Sequence, residues 1–362
     1  MSPLENLIRD RIAGTGPISV AEFMELALGH PDHGYYMTRD PFGIAGDFIT
    51  APEISQMFGE LIGLWAAIAW QQMGSPDRLS LVECGPGRGT LMNDLLRAAK
   101  SVPEFHNAID IHLVENSPAM RQRQKETLSG HSPRWHETVA TVPAGPVILI
   151  ANEFLDALPV RQFVRTDTGW AERCVDAGPD GLVFVAGEPV TEKPSIRLPQ
   201  ARRDEIFEVC PAAMAFADRV SDRLTSSLGA ALFIDYGHGE SAIGETLQAV
   251  REHKFTAPLA EPGRADLTAH VDFDALARRL KSGHAAVAGP ISQADFLNAI
   301  GIRERTQQLA RNAPAETRDA IHAAAARLTD PAQMGELFKV MVATSAEMPR
   351  LAGFESWVEK PC

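Results

Sequence analysis

The chain has 362 residues, 45% of them hydrophobic, enough to build one large elaborated domain or two ordinary ones. Its formal charge is −13, from 34 basic and 47 acidic residues, and that argues against a nucleic-acid partner, because phosphate binding needs a basic patch. Acidity first keeps a protein soluble, and beyond that it suits a cationic substrate.

The start, Met1 to Gly14, mixes charged and apolar residues and lacks the apolar core of a signal peptide. Ser19-Val-Ala-Glu22 is a capping box, and the helix it opens carries Phe23, Leu26 and Ala27. Gly29 to Asp47 is rich in Gly, Pro and His and reads as a loop. Met57, Leu61, Leu64, Trp65 and Ile68 recur at helical spacing, a second helix with one buried face. The longest apolar run, Leu61 to Trp70, is too short to span a bilayer. With irregularly spaced Cys84, Cys174, Cys210 and Cys362, neither a disulfide framework nor a metal site is expected. A reducing, cytoplasmic location follows as an expectation, with no membrane span.

From residue 79 strands and helices alternate. Leu79 to Glu83, Ile109 to Glu115, Val147 to Ala151 and Ala230 to Asp235 read as strands, and Phe338 to Ala343 as a last one. The stripe Leu91, Leu95 and Ala98 marks a helix, Lys100 to Ala108 a loop insertion, and Ser117-Pro118 the start of another helix. Such alternation implies a mostly parallel, doubly wound α/β sheet. It breaks between about 160 and 228, where Val160 to Val164, Trp170 to Val175 and Leu182 to Ala186 predict an antiparallel, β-rich excursion, followed by a helix over Ala213 to Leu228. The predicted organisation is a helical region over 1–75, a core over 76–345 with its insertion at about 160–228, and a tail over 346–362.

The strongest local signal is Glu83-Cys-Gly85-Pro-Gly87-Arg-Gly89, closing the first of these strands. A ligand that approaches the backbone here needs residues without a Cβ, and glycines allow the tight turn into a helix. A dinucleotide site wants G-x-G-x-x-G or A, but Thr90 stands where that last small residue belongs. G-x-G-x-G with an acid two places earlier is the methyltransferase pattern. S-adenosylmethionine has no pyrophosphate; it has an ammonium, for which Glu83 is a partner, and a sulfonium that must lie near the glycines. Glu115 ends the next strand, where a carboxylate can accept both ribose hydroxyls, although thirty residues separate it from Gly85 rather than the roughly 20 of a minimal unit. Asn116 and Ser117 beside it either touch the adenosine or, for Ser117, only cap a helix. Trp135 either covers the adenine or packs in the core.

The strand Val147 to Ala151 runs into Asn152-Glu153-Phe-Leu-Asp156-Ala-Leu-Pro159. Methyltransferases of adenine and glutamine amides often have Asn/Asp-Pro-Pro-Tyr/Phe here; this chain has Asn152, no Pro-Pro and two carboxylates. Carboxylates match the planar donor fork of a guanidinium. Glu153 and Asp156 share a face if their segment is helical, and are the candidate catalytic groups; helix capping or cofactor binding is the other reading.

These segments resemble, over Pro17 to Thr344, the MidA-like family of protein arginine methyltransferases, which includes a mitochondrial assembly factor of respiratory NADH dehydrogenase (complex I). The resemblance rests on His30-Pro-Asp-His-Gly-Tyr-Tyr36, Gly46-Asp-Phe-Ile-Thr-Ala-Pro-Glu53, Glu83 to Gly89, Asn152 to Pro159, Ile234-Asp-Tyr-Gly237, Asp266 to Phe273 and Met334 to Val342. It implies a class I (Rossmann-like) methyltransferase core, S-adenosylmethionine as cofactor, and symmetric dimethylation of an arginine in a complex I subunit near the quinone site. It also implies that Gly46, Asp47 and Thr50 help enclose the cofactor. A cofactor-binding assembly factor that acts by holding its client is the alternative expectation. Oligomeric state is not legible.

Overall fold

A computed structural model describes residues 2–38, 47, 49–190 and 199–358. The alternation that begins at residue 79 becomes seven strands of one unit: β1 (Leu79–Cys84), β2 (Ile109–Val114), β3 (Arg134–His136), β4 (Val147–Asn152), β5 (Gly229–His238), β6 (Ala286–Ser292) and β7 (Phe338–Thr344). They lie in the order 3-2-1-4-5-7-6. β1 to β5 run parallel, and β7 is antiparallel to both β5 and β6. Every residue of β1 and β4 is buried, which is why these central strands are apolar runs and not alternating ones. The order reverses between β1 and β4, the position where open α/β sheets bind their ligands.

Contacts divide the chain into two compact units, and the division does not fall at residue 75. The sheet unit takes residues 49–155, 216–239 and 273–362. Residues 49–75 belong to it because helix α1 (Gln56–Gln72) buries Phe58, Leu61, Ile62 and Trp65 in the same core as Leu81, Leu95 and Ile150. α1 lies against α2 (Thr90–Ala99) at a seam without side chains on one side. A Cβ on Gly59 would stand 2.6 Å from Asp94 Cβ, and one on Gly63 would stand 2.7 Å from the Leu95 carbonyl oxygen. Beside this seam the buried Glu60 carboxylate meets Arg97 at 3.0 Å and Arg305 at 2.8 Å. Lys100 to Ala108 is not simply loop, since Pro103–Ala108 is a short helix. The expected tail is also part of this core: Leu351 and Phe354 are buried, and the Trp65 indole N–H donates to Ala352 O at 3.1 Å.

The other unit takes residues 1–48, 156–215 and 240–272. The capping box forms as expected, with the Ser19 hydroxyl accepting from the Glu22 N–H at 3.1 Å at the head of the Val20–Gly29 helix. The excursion is antiparallel: Ile18–Ser19, Gly169–Ala177, Arg161–Thr166 and Ile206–Val209 lie side by side, and Leu182–Pro189 pairs with Gly169–Ala177. The insertion is wider than 160–228 in one respect, because residues 240–272 return to this unit with three short strands, Lys254–Thr256, Gln248–Arg251 and Asp266–Thr268. Leu4, Ile8, Phe23, Met24, Val175 and Leu267 share its core.

The helix seam makes a prediction. Gly63→Ala gains about 1 kcal/mol of helix propensity. It also forces a Cβ against backbone atoms that cannot swing aside, and overpacking costs about 1–3 kcal/mol. Urea denaturation should therefore find the variant less stable than the parent, and a more stable variant would show that the two helices part freely.

Candidate functional site at the strand ends

The glycine turn is built as its sequence requires. Gly85, Gly87 and Gly89 have φ of 64, 50 and 82°, in the left-handed region that L side chains avoid. A Cβ on Gly85 would also stand 2.9 Å from Phe154 Cδ2, so the turn and the chain leaving β4 touch at the one position where only glycine fits. The Gly85 N–H donates to Val114 O at 3.0 Å, tying the turn to the end of β2.

Four acids gather at the ends of the parallel strands. Glu83, on β1, is 3% exposed, and burial pushes its carboxyl up to about 8, opposed by a hydrogen bond from the Met92 backbone. Its Oε2 has no hydrogen-bond partner among the described residues, and the same holds for the buried Asn152 Oδ1 on the neighbouring strand β4. Glu115 follows β2; its Oε1 accepts from the Ser117 N–H at 2.8 Å and its Oε2 from Gln124 Nε2 at 3.1 Å. Burial raises its pKa as well, with these bonds pulling it down. Asn116 is exposed, whereas Ser117 is buried with its hydroxyl accepting from the Met120 N–H at 3.3 Å, as a helix cap. Trp135 packs on the core, and its indole N–H donates to Gln124 Oε1 at 2.7 Å.

The chain after β4 corrects one expectation. Residues 153–159 form a turn, so Glu153 and Asp156 do not share a helical face. The reason is local: Glu153 takes φ of 48°, and Asp235, within β5 just past its last pair with β4, accepts the N–H groups of Phe154 and Leu155 at 3.1 and 2.9 Å. Glu153 Oε1 accepts from the Ala51 N–H at 2.9 Å and from Asn152 Nδ2 at 3.2 Å. This brings Thr50, buried beside Ala51, to the end of β4. From the same short helix (Ala51–Ile54), Glu53 accepts from the Thr90 hydroxyl at 2.6 Å and lies 3.7 Å from Arg88. The helix thus straps the glycine turn to the β4 end.

Three sequence-derived residues lie outside the described part of the sheet unit. Gly46 lies outside the described residues. Asp47 and Asp156 belong to the other unit. There the Tyr35 hydroxyl donates to Asp47 at 2.6 Å, as does the Glu252 N–H at 2.7 Å. Asp156 is buried near Asp266, which accepts from the Tyr36 hydroxyl at 2.7 Å; burial and the Asp156 charge push Asp266 up to about 8. Gln124, Glu53 and Asp235 have structural parts at these strand ends that the sequence pattern did not assign. For Glu53 the signal was present, since it closes one of the recognised segments.

A strand order of 3-2-1-4-5-7-6 with an antiparallel β7 and an acid-led glycine turn after β1 defines a class I S-adenosylmethionine-dependent methyltransferase. A family model of S-adenosyl-L-methionine-dependent methyltransferases matches residues 61–291. The Danio rerio protein arginine methyltransferase NDUFAF7, mitochondrial, is 38% identical over 92% of this chain and 84% of its own length. The Homo sapiens protein of the same name is 38% identical over 93% of this chain and 82% of its own. A solved COG1565 superfamily member from Burkholderia thailandensis, bound to S-adenosyl-homocysteine, is 29% identical with a TM-score of 0.85, covering 98% of this chain and 95% of that one. The chain belongs to the MidA-like family of methyltransferases, and S-adenosylmethionine is its cofactor.

The residues fit that cofactor. Among the described residues Glu83 Oε2 and Asn152 Oδ1 are buried without partners, at a cost of about 1–3 kcal/mol each, and the ammonium of the cofactor's amino-acid end is a donor that would meet them. The glycine turn leaves backbone uncovered by Cβ atoms, and Glu115 offers lone pairs beyond those already bonded. The expected cytoplasmic location is corrected: the curated relatives are named as mitochondrial proteins, which conflicts with it. Among the described residues no helix is long and apolar enough to cross a membrane.

The raised carboxyls set a pH dependence. Unfolded, Glu83 loses its proton near 4.5; folded, it keeps it to about 8. The folded state therefore binds more protons across that window, and stability falls as pH rises through it, by at most about 1.4 kcal/mol per pH unit for one group. Urea denaturation of the cofactor-free protein from pH 5 to 8 should show this slope reduced in Glu83→Gln, while the slope from Asp266 remains. Equal slopes would mean that Glu83 is charged at neutral pH.

Proposed function

We propose that this chain transfers methyl groups from S-adenosylmethionine to an arginine guanidinium of a partner protein, a subunit of respiratory NADH dehydrogenase. The observation that carries the acceptor class is the name shared by relatives 38% identical over nearly the whole chain, protein arginine methyltransferase. The carboxylate-rich strand ends agree with a cationic acceptor. The complex I subunit is the finer part of the proposal and rests on the family resemblance.

When bound, the cofactor supplies a methyl group on a positively charged sulfur that leaves as a neutral thioether. The chain's own residues do the rest. Glu83 and Asn152 take the ammonium, the turn at Gly85, Gly87 and Gly89 lets the ligand approach the backbone, and Glu115 takes the ribose, with Asn116 at its exposed edge. Ser117 serves this site through its cap, and Thr50 through the strap it begins. Gly46 and Asp47 are proposed to help enclose the cofactor on the resemblance alone.

An arginine nitrogen is a poor nucleophile because its lone pair is delocalised and its pKa exceeds about 12. Transfer forms a nitrogen–carbon bond, breaks the carbon–sulfur bond and releases one proton from the nitrogen. Carboxylates orient the guanidinium fork and accept that proton. Glu153 and Asp156 are the proposed acceptor-side carboxylates. Glu153 also positions the chain, since Oε1 holds the Ala51 N–H.

Two measurements test this. Binding of S-adenosylhomocysteine at pH 7 converts a largely protonated Glu83 to its charged form, so calorimetry in buffers of different ionisation enthalpy should report release of up to one proton, lost in Glu83→Gln. A buffer-independent heat would remove Glu83 from the ammonium site. Incubation with isotope-labelled S-adenosylmethionine and NADH dehydrogenase subunits should label an arginine, read by mass spectrometry, with Glu153→Gln binding cofactor normally but transferring more slowly. Cofactor binding and client binding without label would sink the transferase reading and leave a holding factor.

A further inference from the structure

We infer that Gln124 is a positioning residue for the cofactor, holding the glycine turn and the ribose carboxylate in one fixed relation. The inference rests on the proposed ribose role of Glu115. Gln124 lies on helix α3 (Pro118–Thr127) and is 0% exposed. Its Nε2 donates to Gly87 O at 2.8 Å and to Glu115 Oε2 at 3.1 Å, and its Oε1 accepts from Trp135 Nε1 at 2.7 Å. Every polar atom of the side chain is thereby engaged.

The orientation of the amide follows from chemistry. An indole nitrogen only donates, so the amide atom facing Trp135 must be oxygen, and the nitrogen must face the two acceptors. Those acceptors belong to different parts of the cofactor site: Gly87 to the turn after β1, Glu115 to the end of β2. One amide nitrogen has two hydrogens and meets both. No other residue type of this size offers two donors on one atom and an acceptor on the next, apart from asparagine, which is one methylene shorter.

Donation to Glu115 Oε2 has a second effect. With Ser117 N–H on Oε1, both carboxylate oxygens are held by protein donors, and the Asn116 backbone adds another, which fixes the carboxylate plane and leaves lone-pair capacity for a hydroxyl donor. Gln124 also packs on the turn, since a Cβ on Gly89 would stand at 3.6 Å from both its Cα and its Cγ. The Gln124 backbone thus limits the turn from the outside while its amide holds it from within.

The test compares Gln124→Met, which keeps the volume and loses the hydrogen bonds, with the isosteric Gln124→Glu, which keeps an acceptor for Trp135 and loses both donors. Each is titrated with S-adenosylhomocysteine and with its 2′,3′-dideoxy analogue, and Glu115→Ala is run in parallel. Loss of hydrogen bonds to a charged group predicts roughly 10- to 100-fold weaker binding of S-adenosylhomocysteine by both Gln124 variants. The penalty should be smaller by more than about threefold for the analogue without ribose hydroxyls, what remains of it being the part that acts through the turn at Gly87. A merely structural glutamine would weaken both ligands equally, and that result, or an affinity within threefold of the parent, overturns the inference. Weakening by Glu115→Ala alone would leave the ribose reading standing without Gln124, whereas unchanged binding by Glu115→Ala would remove the ribose reading and this inference with it.

Discussion

Wherever a parallel strand stops, backbone N–H groups lose their partners, and buried ones must find others. In the sheet unit this is met by carboxylates placed on or just after four central strands. Asp235 accepts the N–H groups of Phe154 and Leu155, Glu153 accepts that of Ala51, Glu115 that of Ser117, and Glu83 is bonded from the Met92 backbone. The loops that shape the cofactor site hang on these bonds. A carboxylate in or near the interior needs donors to offset its charge, and Glu83, whose Oε2 has no partner among the described residues, is pushed up to about 8 by burial. A cationic ligand beside it would favour its charged form.

The parts of the site that were legible in the sequence are those that depend on residue type at short range. Gly85, Gly87 and Gly89 are needed for positive φ, Glu83 and Glu115 sit where strands end, and Ser19 and Ser117 cap the helices they precede. Each of these is a local requirement that a single sequence displays. Gln124 was not legible, because its value arises from three partners at positions 87, 115 and 135 that only the folded sheet brings together. Asp235 was visible as a strand-end acid, but its role in bending the chain after β4 was not. That bend is also why a three-residue spacing misled: Glu153 and Asp156 sit on a turn, and spacing arguments hold only where the period is known.

The sheet was foreseeable and the division of the chain was not. Apolar runs such as Val147 to Ala151 announce buried parallel strands. By contrast, the strands Lys254–Thr256 and Asp266–Thr268 are three residues each, too short to show a period, and their unit is assembled from three separate stretches. Likewise α1 has the amphipathic pattern of any helix, and nothing in its own residues states that its partner is α2.

The glycine seam between α1 and α2 bears on how ligands come and go. A single residue, Ser55, joins α1 to the short helix that straps the glycine turn to the end of β4. Because Gly59 and Gly63 seat α1 against backbone and Cβ atoms of α2, the lever carrying that strap cannot slide along its neighbour. Moving that strap off the glycine turn would take torsion at this one joint and the rupture of the Glu53–Thr90 and Glu153–Ala51 bonds.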